Sequence, residues 1–324
     1  MFKVLLAGRV KLMNRMKTVT WGMCALVLIW SSVAFGQAKV GTTGAQFLEI
    51  GVSARADGMG GAFAAVSDDA TALYYNPAGL VQLEGREAVF TLVSYPADIE
   101  YKFAGVALPL SFGGVLGFSF YGLSTGDIPL TTYEYPLGVD GWTFGAKDYA
   151  FGFSYSRYLT DRFSLGVTVK MIDELYEEER ATGWAADVGT NYNTGFRNFK
   201  ITMVITNFGP DMTFISQSYP LPINFHFGAA IDVLDGGRHR ATFAMEGSHP
   251  SDNLEKYSAG LEYWYSDTFA IRVGDRFEHD LSGITWGLGF RVPLGDERRF
   301  SLDYARQDFG VLGDIDRYTL SIMF

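Results

Sequence analysis

Short segments in which large apolar residues alternate with small or polar ones make up most of the chain from about residue 86 onward. One example runs from Phe163 to Lys170, where Phe, Leu, Val and Val alternate with Ser, Gly, Thr and Lys. Period-two alternation is typical of a β-strand with one apolar and one polar face. These strands are too numerous for the core of a soluble sandwich. The pattern therefore predicts an all-β barrel with lipid outside and a polar lumen inside.

About fourteen segments have this pattern, each close to the 9–11 residues that a tilted membrane strand needs. They are centred near Phe90, Tyr101, Phe118, Phe151, Val167, Trp184, Ile201, Phe227, Phe243, Leu261, Ile271, Trp286, Leu302 and Leu320. Connections after even-numbered strands are tight, whereas those after odd-numbered strands include the two longest, about 124–146 and 209–221. An even strand count with short turns at one end and long loops at the other predicts a 14-stranded antiparallel outer-membrane barrel over residues 86–324.

One stretch challenges this interpretation, because residues 103–123 carry no charge over the length of a transmembrane helix. The stretch contains Pro109 and five glycines, however, and residues 109–114 have the composition of a turn. We therefore expect two strands joined by a hairpin rather than a helix.

The first 36 residues have the organisation of a secretory signal peptide. Five basic residues and no acidic ones accompany an apolar core from Trp21 to Trp30, which is too short to span a membrane. Cleavage is expected after Gly36. The remaining chain has 21 basic and 36 acidic residues, a net charge of −15, and has lost Cys24, the single cysteine. This predicts export without disulfides, and the acidity argues against nucleic acid as a partner.

The carboxyl end places four apolar residues on one face of a last strand: Tyr318, Leu320, Ile322 and Phe324. A terminal strand that ends on Phe is similar to the signal read by the barrel-assembly machinery. We therefore expect that machinery and the outer-membrane lipid to be partners.

Residues 37–85 do not alternate and are predicted to form a partly helical hatch in the lumen. Short helices are expected over 63–66 and 70–75, the second preceded by Ser67 as N-cap. Pro77 ends this helix and favours an extended Asn76.

Three stretches of this segment resemble the PorV/PorQ branch of the FadL-like outer-membrane proteins. They are residues 44–51 (GAQFLEIG), 54–62 (ARADGMGGA) and 75–80 (YNPAGL), with Asp68-Asp69-Ala70 between the last two. The superfamily has a 14-stranded barrel whose lumen holds an N-terminal hatch with an Asn-Pro-Ala motif. Asn76, Pro77 and Ala78 match that motif.

The resemblance implies two different functions. PorV-like members assist type IX protein secretion by holding exported proteins at the cell surface, and this is the function we expect first. Transporters of the superfamily instead pass long-chain fatty acids or other hydrophobic small molecules through the lumen and sideways into the membrane. The amino-acid sequence of the segment is more similar to the PorV/PorQ branch than to the transporters. This branch includes members without an established role.

Enzymatic chemistry has little support in the sequence. The four histidines, His226, His239, His249 and His279, do not pair at metal-ligand spacing, and no nucleophile elbow or phosphate-binding loop occurs. We expect no catalytic residue, cofactor or metal.

Alternation assigns a set of charged residues to the inner face of the barrel: Lys170, Asp187, Arg240, Glu246, Glu262, Arg272, Arg291 and Asp303. They are candidates for ion pairs that hold the hatch, or for a polar permeation path. Outer-loop candidates for contact with an exported protein or a hydrophobic ligand are Ile128, Leu130, Tyr133 and Tyr135, although packing within the loop explains them equally well. An acidic run, Glu174 with residues 177–179, is also expected in an outer loop.

Overall fold

The computed structural model describes residues 40–111, 113–278, 283–295 and 298–324. The expected signal peptide, the first three residues of the expected hatch and His279 lie outside these described residues. Fourteen strands form a closed antiparallel barrel, which confirms the predicted fold class.

The barrel strands, numbered in chain order, all contain the centres expected from the sequence. They are β1 (Glu87–Ser94), β2 (Glu100–Pro109), β3 (Val115–Ser124), β4 (Ala146–Thr160), β5 (Phe163–Tyr176), β6 (Glu179–Asn193), β7 (Lys200–Phe208), β8 (Asn224–Gly236), β9 (His239–Pro250), β10 (Lys256–Tyr265), β11 (Phe269–Phe277), β12 (Thr285–Pro293), β13 (Arg299–Asp308) and β14 (Asp314–Met323). Neighbours in sequence pair in space, and β1 pairs with β14 from Glu87↔Met323 to Ser94↔Asp316, which closes the barrel.

Several strands are longer than expected, since β4 and β6 each have 15 residues. Residues 103–123 form parts of β2 and β3 joined by a turn, as predicted. Within the described part of the chain, no helix has the length and apolar character required to cross a membrane.

The connections differ in length between the two ends of the barrel. Turns at one end are as short as residues 161–162 and 237–238, and we name this the turn end. The other end, the loop end, carries the long connections 125–145 and 209–223, each containing a small hairpin. The hairpins pair Ile128–Pro129 with Thr143–Phe144, and Met212–Phe214 with Gln217–Tyr219. Long loops of outer-membrane barrels face the cell exterior.

The expected acidic loop is wrong in its extent, because β5 and β6 continue to a two-residue turn at 177–178. Arg180 and Asp173 pair across the two strands at 2.6 Å. Glu174 is buried on β5 and accepts a hydrogen bond from the Ala45 backbone N–H at 3.1 Å.

Large apolar side chains cover the outer surface of the barrel. Phe151, Met171 and Trp184 are each at least half exposed, on strands whose alternate residues are buried. Exposed apolar side chains around a closed barrel fit lipid, since closure leaves no strand edge unpaired. The expected location in the bacterial outer membrane is thereby confirmed. Residues on the outward face of β14 and its end include the four expected ones, Tyr318, Leu320, Ile322 and Phe324.

Residues 40–86, named here the N-terminal segment, pack within the barrel. Its short helices are α1 (Ala54–Asp57) and α2 (Ala72–Tyr75), with 3₁₀ turns at Gln46–Glu49 and Pro77–Gln82. Residues 63–66 form a turn instead of the expected helix. Ser67 is not an N-cap, because its hydroxyl donates back to the Phe63 carbonyl at 2.8 Å. Thr71 precedes α2, and its N–H donates to Asp69 at 2.9 Å.

Candidate functional site: the lumen and its N-terminal segment

The Asn-Pro-Ala motif fixes the N-terminal segment to the wall formed by β5 and β6. The buried Asn76 amide donates to the carbonyls of Ala64, at 3.0 Å, and Thr190, at 3.2 Å. Its side-chain oxygen accepts from the Ala78 N–H at 3.1 Å and caps the 3₁₀ turn, while Ser164 donates to the Ala78 carbonyl at 2.9 Å. One side chain therefore joins two parts of the segment to a barrel strand.

Glycines on the inner face let the segment lie directly against the wall. A Cβ atom added at any of them would meet a segment atom at short range. They come from seven different strands: Gly105, Gly117, Gly166, Gly189, Gly260, Gly274 and Gly287. At Gly166 the obstacle is the backbone of Pro77, and at Gly274 it is the backbone of Gly60. At these two positions the absence of a side chain permits a backbone approach that any other residue would prevent.

A buried charge network anchors α1. Arg55 binds Glu262 through two parallel hydrogen bonds of 2.8 Å. Arg272 donates to the same carboxylate at 2.7 Å and to Asp303 at 2.6 Å. The Nη1 atom of Arg55 also pairs with Asp68, at 2.5 Å, and Asp69, at 2.9 Å. Bidentate geometry and shared partners are what make a buried ion pair tolerable in the absence of water.

The network shifts the pKa values of its segment members. Burial alone would lower the pKa of Arg55, but the carboxylates of Asp68, Glu262 and Asp69 raise that pKa above its usual value. Burial disfavours the charged form of Asp68, yet Arg55 and Lys200 outweigh this and lower its pKa. Both groups are therefore held in their charged forms.

The remaining inner-face candidates separate into paired and peripheral groups. Lys170 pairs with Asp187 at 2.9 Å. Glu246 accepts from the backbone N–H groups of Phe63, at 3.0 Å, and Ala64, at 2.8 Å, and its other oxygen contacts His226 at 2.9 Å. These two carboxylates therefore have different partners: Glu246 binds the backbone of the N-terminal segment, whereas Asp187 pairs with Lys170 within the barrel wall.

Two predicted arginines stay outside the central network. Arg240 lies toward the turn end and pairs with the exposed Asp267 at 3.3 Å. Arg291 stacks over the ring of Trp264 at 4.3 Å, and Arg272 contacts the same ring at 5.3 Å. Such contacts are cation–π interactions.

A cavity of about 380 Å³ lies between the N-terminal segment and the wall at the loop end. Its position follows from its lining, which includes Tyr95 and Phe309 beside two loop connections and Lys256 at the start of β10. The segment contributes aromatic and aliphatic surface, including Ile50, Tyr74 and Tyr75. The volume is within the range of small-molecule sites.

Charged groups also line this cavity. Asp57 of α1 pairs with both Arg276 of β11 and Arg317 of β14. Burial raises the pKa of Glu49, at the cavity edge, against the opposing effect of Lys256. Sequence reasoning did not single out Arg276 or Arg317. Alternation nevertheless places both on the inner face, because Arg276 lies four residues after Arg272 and Arg317 directly precedes the outward-facing Tyr318.

At the turn end the space between segment and wall is much smaller. A gap of about 30 Å³ is lined by Asp68, Lys200 and Arg240, among others. This is close to the space of a single water molecule in a liquid. Around this gap the segment and its charged contacts lie close to the wall.

The long connection 125–145 presents the predicted loop candidates unequally. Tyr133 is fully exposed, Tyr135 and Ile128 are partly exposed, and Leu130 is half-buried. Two neighbours that the sequence analysis did not select are also exposed, Leu137 at 97% and Trp142 at 65%. The described residues include no group of three His, Cys, Asp or Glu side chains arranged to hold a metal ion.

Solved structures with a similar fold include two toluene transporters and a FadL homologue. The chain is similar to the Ralstonia pickettii toluene transporter TbuX, with 13% identity, a TM-score of 0.56 and coverage of 84% of this chain and 97% of that one. It is similar to a Pseudomonas aeruginosa FadL homologue, with 12% identity, a TM-score of 0.54 and coverage of 84% and 98%. For the Pseudomonas putida toluene transporter TodX the values are 11%, 0.55, 84% and 97%.

No family model and no curated protein sequence matches the chain. At these identities the similarity establishes the FadL-like barrel fold, and the narrower PorV/PorQ resemblance stays a prediction. The compared proteins are transporters or channels rather than enzymes.

Proposed function

We propose that this barrel carries small hydrophobic molecules across the outer membrane, with the loop-end cavity as their binding site and the N-terminal segment as the hatch below it. The cavity itself is the observation that carries the proposal, because it has the size of a small-molecule site and one aromatic and aliphatic side. The fold shared with TbuX and TodX, which are toluene transporters, supports the same substrate class.

The proposal predicts that filling the cavity stops transport. Ser248 of β9 lines the cavity, whereas Ser251 lies three residues further on in an exposed connection. We expect Ser248→Trp to abolish protein-dependent uptake of toluene into cells or vesicles, and Ser251→Trp to leave it within about twofold of the unmodified protein. Unchanged uptake in Ser248→Trp would exclude the cavity as the transport site.

A molecule in the cavity has two ways out, displacement of the segment or sideways passage through the wall. The strand ladder between β6 and β7 shifts register beside the cavity, where Asn207 has a left-handed backbone with φ of 59°. A reversible tether between segment and wall distinguishes the two routes. A Cβ at Gly228 would lie 3.5 Å from that of Ala65, which is within disulfide range.

The double variant Ala65→Cys/Gly228→Cys is informative because the chain has one cysteine, Cys24, in the expected signal peptide. If the segment moves, oxidation stops toluene uptake and a reductant restores it. If molecules leave sideways, uptake is the same in both redox states. Each single-cysteine variant serves as the control for the effect of the substitutions themselves.

A second candidate function is the binding of exported proteins at the cell surface, as in type IX secretion. The observation that favours it is the exposed apolar surface of the 125–145 connection, with Tyr133, Leu137 and Trp142. We expect a Tyr133→Ser/Leu137→Ser variant to lose cross-links to surface proteins while toluene uptake is unchanged. Equal cross-linking before and after the substitution would remove this candidate.

A further inference from the structure

Two arginines converge on the cavity with a single carboxylate between them. Arg276 and Arg317 both pair with Asp57, so this group of three side chains has an excess of one positive charge. Asp275, the neighbour of Arg276, accepts a hydrogen bond from the Arg276 backbone and lies on the other face of β11 by alternation. Two other carboxylates line the cavity: Glu246 is committed to His226 and two backbone N–H groups, and Glu49 interacts with Lys256.

One donor of this pair, on Arg317, has no partner among the described residues. Arg317 is 2% exposed and lines the cavity, and its Nε atom has no hydrogen-bond partner among the described residues. An unpartnered buried donor is costly, since it loses its hydration without a replacement. A ligand with an acceptor at this position would supply the missing bond.

Arg276 is fixed in place by other contacts. Its Nε donates to the Gly60 carbonyl at 3.1 Å and its Nη1 to Gln307 at 3.0 Å. Its guanidinium is thus held at the cavity wall, and a planar guanidinium matches a carboxylate in shape and charge. The same cavity presents Tyr74, Tyr75 and Tyr95, of which the first two pack edge to face at 4.7 Å between centroids.

We propose that the cavity binds aromatic monocarboxylates, with the carboxylate at Arg276 and Arg317 and the ring against the tyrosines. This rests on the proposed function, because it names the substrate class of the same cavity. It goes further in one respect. A neutral hydrocarbon would leave the excess charge and the free donor unused, whereas an aromatic acid would satisfy both.

Titration calorimetry on the purified, folded full chain in detergent tests this with three probes: benzoate, its neutral counterpart benzamide, and toluene. We expect benzoate to bind at least about tenfold more tightly than benzamide, the value of one charge-assisted hydrogen bond in a buried site. Arg276→Gln is expected to remove this preference for benzoate. Arg276→Lys keeps the positive charge but lacks the planar guanidinium, and is expected to retain part of the preference for benzoate.

Arg240→Gln is the matched control, because Arg240 also faces the lumen but lies outside this cavity. It is expected to keep the full preference for benzoate. Equal affinity of the unmodified protein for benzoate and benzamide would overturn the inference, and this comparison needs no variant that folds. If toluene still binds in that case, the proposed function stands, whereas failure of all three probes to bind would refute both.

Discussion

Removal of Arg55 is the perturbation that best separates anchoring of the N-terminal segment from stability of the barrel. The Arg55 side chain is 5% exposed and its partner Glu262 is 2% exposed, so Arg55→Ala leaves a carboxylate buried with fewer partners. Breaking a buried pair costs about 3–5 kcal/mol. Arg272 still neutralises Glu262, so we take the lower end, about 3 kcal/mol. This corresponds to an increase of about 150-fold in the population of the undocked segment.

Hydrogen exchange followed by mass spectrometry measures this population directly. We expect peptides covering residues 53–66 to exchange about two orders of magnitude faster in Arg55→Ala, while peptides from β1 and β14 keep their rates. Arg180→Ala is the matched control, because Arg180 also pairs with an aspartate at 2.6 Å but is 64% exposed. Exposed pairs contribute little to stability, because water screens both charges. A change below threefold at residues 53–66 would refute the anchoring role of the network.

Three further predictions concern the same segment. Gly274→Ala places a Cβ against the backbone of Gly60 and is expected to weaken docking of the segment by about 1–3 kcal/mol, as overpacking does. Protease cleavage of the segment should therefore be faster in this variant. Gly236→Ala places its Cβ in open space and should leave the cleavage rate unchanged. Glu49→Gln is expected to slow segment exchange at pH 7 and not at pH 4, because burial raises the pKa of Glu49 and its ionisation therefore costs stability as the pH rises. Asp68 has a lowered pKa, so its contribution to docking stability is complete above about pH 4 and is lost as the pH falls through its folded-state pKa. Hydrogen exchange of the segment should therefore accelerate on acidification, and this acceleration should be smaller in Asp68→Asn.

Contradicting results for these three are equally specific. Gly274→Ala and Gly236→Ala would be cleaved at the same rate if the close approach at the wall were unimportant. Glu49→Gln would have no pH-dependent effect if that carboxylate stayed fully hydrated. Identical acid responses of the unmodified protein and Asp68→Asn would assign the acid sensitivity to another group.

The barrel could be predicted from the sequence because its two faces meet different solvents. A strand between lipid and a polar lumen must alternate, and a one-residue slip would expose every inner charge to lipid. All fourteen expected strand centres therefore lie in strands. Strand ends were less predictable, as at residues 174–179, where β5 and β6 continue into a run of acidic residues that does not alternate with apolar ones.

The N-terminal segment was predictable in outline but not in detail. Its helices have four residues each, too few for any periodicity, so α1 was missed and residues 63–66 were wrongly expected to be helical. The cavity could not be predicted either, because Asp57 and Arg276 lie 219 residues apart in the chain. Alternation places Arg276 on the inner face, but which residue of the segment it meets is decided by three-dimensional packing.

The most direct test of the central claim is native mass spectrometry on the protein gently extracted from its own outer membrane. The account predicts a bound small molecule with an apolar body, absent from the Ser248→Trp variant and retained by Ser251→Trp. Stoichiometric exported or secretion-machinery proteins, with an empty lumen in the unmodified chain, would contradict it and favour the surface of residues 125–145 as the functional site.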